Sequence, residues 1–220
     1  MQIAIDGPAG SGKSTVAKQV ARDLGFLYID TGAMYRAVAL YCLESFIDLK
    51  EPQKIADAID EIEITFETDE TGQKVFLNEI EVTEEIRMEH VGAAASGYVA
   101  RATLAREKLV EKQRQIASGQ DVVMDGRDIG SVVLKDADIK LFLTAQPSTR
   151  AKRRYDELVS KGESPDLEEI TAEVIARDER DTDPSVGSLV ILEETQIIDT
   201  TQMSVAQVIE QIKLLVANKR

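Results

Sequence analysis

Lys13, Ser14 and the glycines that precede them are the residues whose types and spacing most directly specify a chemistry. They close the run Gly7-Pro8-Ala9-Gly10-Ser11-Gly12-Lys13-Ser14-Thr15, with the spacing G-x-x-x-x-G-K-S. Glycines let consecutive backbone N–H groups turn inward as an anion-binding nest, and a helix starting there points its positive end at the same place. Lys13 can reach β- and γ-phosphates, and the Ser14 hydroxyl can ligate Mg²⁺. The chemistry implied is the binding of a nucleoside triphosphate.

Further candidates recur at similar punctuation points. Asp30-Thr31-Gly32 is followed by Tyr35 and Arg36, and Asp125-Gly126-Arg127-Asp128 sits after another apolar run. Two carboxylates and an arginine beside a phosphate site suit an acceptor phosphate, Mg²⁺-bound water, or hydroxyl and amino groups; tight-turn chemistry is the plainer alternative. Arg150, Lys152, Arg153 and Arg154 crowd one stretch, where a solvated face competes with cations over a migrating phosphoryl group. In Arg177-Asp178-Glu179-Arg180-Asp181 the arginines and the acids each recur at i and i+3, as in an ion-paired helix or a lid.

These residues need elements to position them. Ile3-Ala4-Ile5 reads as a buried strand, and Val16, Ala17, Val20, Ala21 and Leu24 mark an amphipathic helix that Gly25 stops. Further strands are expected at 26–29, 122–124, 139–143 and 196–198, alternating with helices as in a parallel α/β sheet. A helix is expected from Ala33, another from Leu104 to Ile116, one capped near Ser148, and a last one from Ser204 with Gln207 as its capping-box partner. Roughly ninety residues separate the second and third strands, far beyond a crossover helix. Alternation at Ile62–Glu67 and Lys74–Leu77 around a turn signals an inserted antiparallel lobe over about 62–86. Two extra edge strands of the main sheet are the alternative.

In open α/β sheets ligands bind at the carboxyl ends of the strands, which is where the loop and both acidic turns fall. The chain has 220 residues, suiting one domain. With 26 Lys and Arg against 40 Asp and Glu its net charge is -14, which argues against sequence-independent nucleic-acid binding. Cys42 is the one cysteine and reads as a core thiol in a reducing compartment; His90, the one histidine, leaves no histidine cluster for zinc. No leader precedes the first strand and no apolar run approaches membrane-spanning length, so a cytoplasmic protein is expected.

Taken in order, I-D-G-P-A-G-S-G-K-S, D-T-G-A-M-Y-R (Asp30–Arg36), M-D-G-R-D-I-G (Met124–Gly130) and R-D-E-R-D (Arg177–Asp181) resemble bacterial cytidylate kinases. The resemblance implies a P-loop kinase fold: a parallel sheet flanked by helices, an inserted small antiparallel β lobe and a short helical lid. It implies one domain over 1–220, with a nucleoside-monophosphate region at 31–118 and a lid at 148–186. The implied reaction moves the γ-phosphate of ATP to CMP or dCMP with Mg²⁺, in a monomer that binds neither nucleic acid nor membrane. Other small acceptors such as UMP, or a nucleotide switch, are the alternatives. By matching position, Gly7, Pro8, Ala9, Gly10, Ser11, Gly12, Lys13, Ser14 and Thr15 hold ATP, and Ser14 the metal. Thr31 and Asp181 hold ribose hydroxyls with Arg177 alongside, and Arg36 and Arg127 grip the acceptor phosphate. Ser96, Arg106 and Asp128 read the cytosine edge, with Arg101 as the rival of Arg106. Lys13, Arg127, Arg177, Arg180 and Asp181 form the catalytic set.

The family commonly continues R-D-x-x-D-x-x-R, and here the last position is Pro184. The stretch Gly97 to Ala105 also departs from the family pattern. A lost charge-assisted contact to the acceptor phosphate is worth about 1.5–3 kcal/mol. Arg180, or an arginine among 150–154, is expected to compensate. Arg180→Ala should then damage phosphoryl transfer severely and Pro184→Arg improve it only slightly, as kcat and KM for CMP in both variants would report.

Overall fold

The computed structural model describes residues 1–69, 72–181 and 189–219. Pro184 lies outside them. The chain divides into two compact units, Met1–Tyr28 with Gly119–Arg220, and Ile29–Ser118.

The first unit opens with β1 (Gln2–Asp6) and α1 (Lys13–Leu24), and β2 (Leu27–Asp30) crosses into the second. The second unit holds α2 (Thr31–Glu44), α3 (Pro52–Asp60), β3 (Ile64–Asp69), β4 (Gly72–Leu77), β5 (Ile80–Glu81), α4 (Glu89–Gly97) and α5 (Thr103–Ala117). The chain returns to the first unit through β6 (Val122–Gly126), a wide turn (Ile129–Val133) and β7 (Ile139–Thr144). It ends with α6 (Pro147–Ser160), α7 (Leu167–Asp181), β8 (Gln196–Asp199) and α8 (Val205–Lys219).

Among the described residues the long sheet runs β2-β6-β1-β7-β8, with β1 central and parallel to both β6 and β7. β1 and β7 are buried along almost their whole length, as an apolar run covered on both faces requires. Val16, Ala17, Val20 and Ala21 of α1 pack with Ile3, Ile5, Val123, Leu141 and Leu143, and with Val208 and Ile212 of α8. The parallel register carries Asp6 beside Gly126 and Phe142, so the ends of three strands deliver their loops to one edge. In α8, Ser204 Oγ accepts from Gln207 N while Gln207 Oε1 accepts from Ser204 N, the expected capping box.

In the second unit β3-β4-β5 form a separate antiparallel sheet, so the inserted strands do not extend the main sheet. Asn78 and Glu79, both at positive φ, make the turn between β4 and β5. α2 packs against α4, and α3 against α5. Lys108 Nζ donates to the Ala56 carbonyl and pairs with Asp60, fastening the C-terminal end of α3 to α5.

At three boundaries the way the helix is capped or closed sets the difference from expectation. β2 starts at Leu27 because the Phe26 N–H closes the end of α1 on the Ala21 carbonyl, with Gly25 at φ 70. α2 starts at Thr31 instead of Ala33, with Asp30 as its N-cap accepting from Ala33 N at 2.9 Å. α6 starts at Pro147, capped by Gln146 and not near Ser148, since proline lacks an N–H and suits the first helical position.

The end of α2 contains a strained residue. Ile47 N donates to Cys42 O and Phe46 N to Leu43 O, the double closure that normally places glycine at the left-handed position. Phe46 occupies it at φ 55 with its side chain 96% exposed. Phe46→Gly removes a steric penalty and surrenders almost no packing. The variant is expected to be more stable by about 0.5–1 kcal/mol, read as a higher urea midpoint at unchanged slope.

Candidate active site

The loop between β1 and α1 is shaped by Gly7, Gly10 and Gly12 at φ 144, 75 and 92. A side chain at Gly7 would collide with the Leu143 carbonyl of β7, so only glycine lets the chain leave β1 there. Three carbonyls of the loop each find a side-chain donor. Pro8 O accepts from Lys13 Nζ at 2.8 Å, Ala9 O from Arg150 at 3.0 Å, and Ser11 O from Thr200 Oγ1 at 3.1 Å. Arg153 adds a longer bond to Ser11 O and a 2.7 Å bond to Thr200 O.

β6 brings Asp125 to the start of α1. Its carboxylate accepts from Ser14 Oγ at 2.8 Å and from Tyr28 OH at 2.7 Å. A hydroxyl and a carboxylate side by side at a phosphate loop form the oxygen donor set that suits Mg²⁺, which takes one or two protein ligands and completes its shell with water and phosphate. Among the described residues no group of three or more metal-ligating side chains occurs. Asp125 thus joins Ser14 as a candidate metal ligand.

Arg127 donates from Nε to Asp181 Oδ2 at 2.7 Å, joining the turn after β6 to the last residue of α7. Arg127 and Asp181 are also, with Asp125 and Asp6, the charged groups acting on Lys13. Burial first, and then Arg127, lower the Lys13 pKa against the opposing pull of Asp125, Asp181 and Asp6, to about 7 overall. Asp6 is pushed up to about 6, first by burial, although it accepts from Ile129 N and Gly130 N. Asp128, beside it, is buried. Arg177 and Arg180 lie exposed on α7, and Arg180 Nε turns back to Ala176 O. The crowded arginines separate into two kinds. Arg154 and Lys152 pair at the surface with Glu157 and Asp156, whereas Arg150 is buried and donates to Ala145, Ala9 and Asp178.

In the second unit, Thr31 is buried at the start of α2, and Arg36 one turn on pairs with Asp30 at 3.3 Å. The Arg36 Nε is buried without a hydrogen-bond partner among the described residues. Such an orphan donor suits an anion not yet bound. Ser96, at the end of α4, donates to its own helix at Gly92 O, and Arg106 sits in the first turn of α5. Sequence reasoning passed over Tyr28 and Thr200, and noted Asp178 only as one of the acids at i and i+3. The signal at Thr200 was its place just past a strand.

A parallel sheet with this loop after its central strand, a carboxylate on the neighbouring strand and an arginine-bearing helical hairpin defines a P-loop kinase. The cytidylate kinase family model matches residues 3–218, and the chain belongs to the cytidylate kinase family. It is 49% identical over 211 residues to the cytidylate kinase of Pelotomaculum thermopropionicum, covering 96% of this chain and 93% of that one. With that of Pediococcus pentosaceus it shares 46% identity, covering 99% and 96%, and with that of Streptococcus pneumoniae 45%, covering 97% and 96%. A solved structure of an uncharacterized protein from Eubacterium ventriosum shares the fold at TM-score 0.56 and 15% identity, covering 99% of this chain and 98% of that one.

Lys13 yields a pH-dependent expectation. Without nucleotide its pKa is about 7, so at pH 8 it is mostly neutral, and phosphate oxygens favour its ammonium form. ATP binding should then take up nearly one proton at pH 8 and almost none from Lys13 at pH 6. Calorimetry in buffers of different ionisation enthalpy measures this, and Lys13→Met should abolish the uptake at pH 8.

Proposed function

We propose that the chain transfers the γ-phosphate of ATP to CMP or dCMP, giving ADP and CDP or dCDP, with Mg²⁺. The observation that carries this reading is the family match over residues 3–218, which includes all four motifs in order. An oxygen of the acceptor phosphate attacks the γ-phosphorus in line, and the bond to the bridging oxygen of ADP breaks. No general base is required, because a phosphate monoester has a second pKa of about 6 and is already dianionic at neutral pH. The residues supply position and charge.

Backbone N–H groups of the loop from Gly7 to Thr15 hold the donor phosphates. Lys13 leaves the Pro8 carbonyl for the β- and γ-oxygens. Ser14 and Asp125 would hold Mg²⁺, which would supply neutralisation of the charge on the donor phosphates. Arg127 and Arg36, each paired with a carboxylate in this structure, exchange it for the acceptor phosphate. The Asp181 carboxylate that Arg127 releases then accepts from a ribose hydroxyl, as Thr31 does, with Arg177 alongside. Ser96, Arg106 and Asp128 read cytosine, and a carboxylate suits its exocyclic amino group. Residues 31–118 act as the nucleoside-monophosphate region and 148–186 as the lid.

A cytoplasmic setting is supported by Cys42, a buried thiol whose pKa burial raises to about 11. Among the described residues no helix is long and apolar enough to cross a membrane. We read the working form as a monomer that binds neither nucleic acid nor membrane.

UMP presents a carbonyl where CMP presents an amino group, leaving the Asp128 carboxylate facing an acceptor at a cost of about 1–3 kcal/mol. A coupled assay with ATP should show CMP and dCMP phosphorylated about 5- to 150-fold more efficiently than UMP. Equal kcat/KM for UMP and CMP would move the assignment to a broader pyrimidine kinase, and hydrolysis without any acceptor would favour a switch.

A further inference from the structure

Arg150 departs from its neighbours in α6. It is the only charged residue of that helix to be buried, 2% exposed, and its guanidinium fork is spent on three different elements. Nε donates to Ala145 O at the end of β7, at 2.9 Å. NH1 donates to Ala9 O in the phosphate loop and to Asp178 Oδ1 in α7, at 3.0 and 2.8 Å, and NH2 pairs with Asp178 Oδ2. Its Cβ also lies under Gly10, where an added Cβ would come within 3.2 Å of it.

Each of these contacts bears on the loop. A nest binds anions only while its carbonyls point away from the ligand, and a carbonyl rotating inward would set its partial negative charge against phosphate. Arg150 holds the Ala9 carbonyl outward and fills the space behind Gly10. A side chain with five donors in a fixed plane is set by whatever accepts from it, and the bidentate carboxylate of Asp178 is the strongest of its partners. Asp178 therefore orients the guanidinium that orients the loop.

The geometry points to Arg150 as a positioning residue for ATP, locked by Asp178, so that the α6–α7 hairpin and the phosphate loop adopt their binding geometry together. The inference rests on the kinase reading above and goes beyond it, because neither residue touches the nucleotide in the roles assigned there. It makes α7 contribute to ATP affinity through a protein–protein contact, in addition to any arginine it presents to substrate.

The test uses the full chain with Asp178→Asn, Arg150→Lys and Arg150→Met. Direct titration with ATP gives Kd, steady-state assays give kcat and the KM for CMP, and thermal melting reports folding. Asp178→Asn keeps shape and a single acceptor, and should weaken ATP by about tenfold. Arg150→Lys keeps the charge without the fork and should weaken ATP by a similar factor, while Arg150→Met should weaken it further. The KM for CMP should stay within about twofold in Asp178→Asn and Arg150→Lys, and kcat at saturating ATP within about threefold. In the double variant Asp178→Asn/Arg150→Met the loss should equal that of Arg150→Met alone, since Asp178 acts through Arg150.

Unchanged ATP affinity in Asp178→Asn and Arg150→Lys, whatever their melting temperatures, would overturn the inference and leave the pair a packing element. An equal fall in ATP and CMP affinity would overturn it too, since the whole site would then have moved. If Arg150→Met does not fold, the two conservative variants decide. Because ATP binding is read directly, a wild-type chain that used another acceptor would leave the inference standing and change only the function. A wild-type chain that bound no ATP would instead fail the kinase reading.

Discussion

Cations collected for a polyphosphate repel one another until the ligand arrives, and the first unit is organised around that repulsion. The Lys13 pKa registers it, since Arg127 adds to the effect of burial. The structure answers with a partner for each cation. Arg127 rests on Asp181, Arg150 on Asp178, and Lys13 on the Pro8 carbonyl within the field of Asp125, Asp181 and Asp6. The same solution recurs in the second unit, where Arg36 rests on Asp30. A net charge of -14 therefore does not oppose the binding of an anionic nucleotide. The excess of acid keeps the protein soluble while paired arginines hold local positive charge in reserve.

These pairs differ in what they can do. Arg127–Asp181 and Arg36–Asp30 are partly open to solvent, so exchanging a carboxylate for a phosphate replaces one ionic hydrogen bond with another. Arg150 has 3% of its side chain exposed and also serves two backbone carbonyls. Pulling it away would strand those carbonyls and a carboxylate. The exchangeable pairs suit substrate handling, and the buried one suits architecture.

The elements of local origin were readable before the structure. A helix or buried strand writes its period into consecutive residues, so the phosphate loop, the strand–helix alternation, the separate hairpin lobe and the last helix's capping box all emerged from spacing. What escaped was long-range or of inverted polarity. Asp125 was visible, but not its pairing with Tyr28 and Ser14, which lie 97 and 111 residues away. Arg150 sat in a charged run of the kind that is usually solvated, yet Arg150 and Ala151 are the buried positions of α6. A residue type that favours the surface cannot announce its own burial, because its satisfaction comes from Ala9, Ala145 and Asp178. Boundaries slipped where a cap decided them, as at Phe26, Asp30 and Gln146.

One buried acid links the donor loop to the residues expected to read the acceptor. Asp6 is the last residue of β1, immediately before Gly7, and its carboxylate holds Ile129 N at 2.7 Å and Gly130 N at 2.8 Å. Those N–H groups begin the wide turn that follows Arg127 and Asp128. At Gly130 an added Cβ would press on the Lys140 stem at 3.3 Å and on the Asp6 carboxylate at 3.4 Å, so both side chains would have to give. Lys140 in turn reaches Glu194 at 2.7 Å, beyond α7 in the chain. A displacement of β1 would thus move the phosphate loop, Arg127 and Asp128 as one body. In-line transfer tolerates little error between donor and acceptor, and a shared mechanical reference is a physical reason to keep a carboxylate in a place where burial alone would remove its charge.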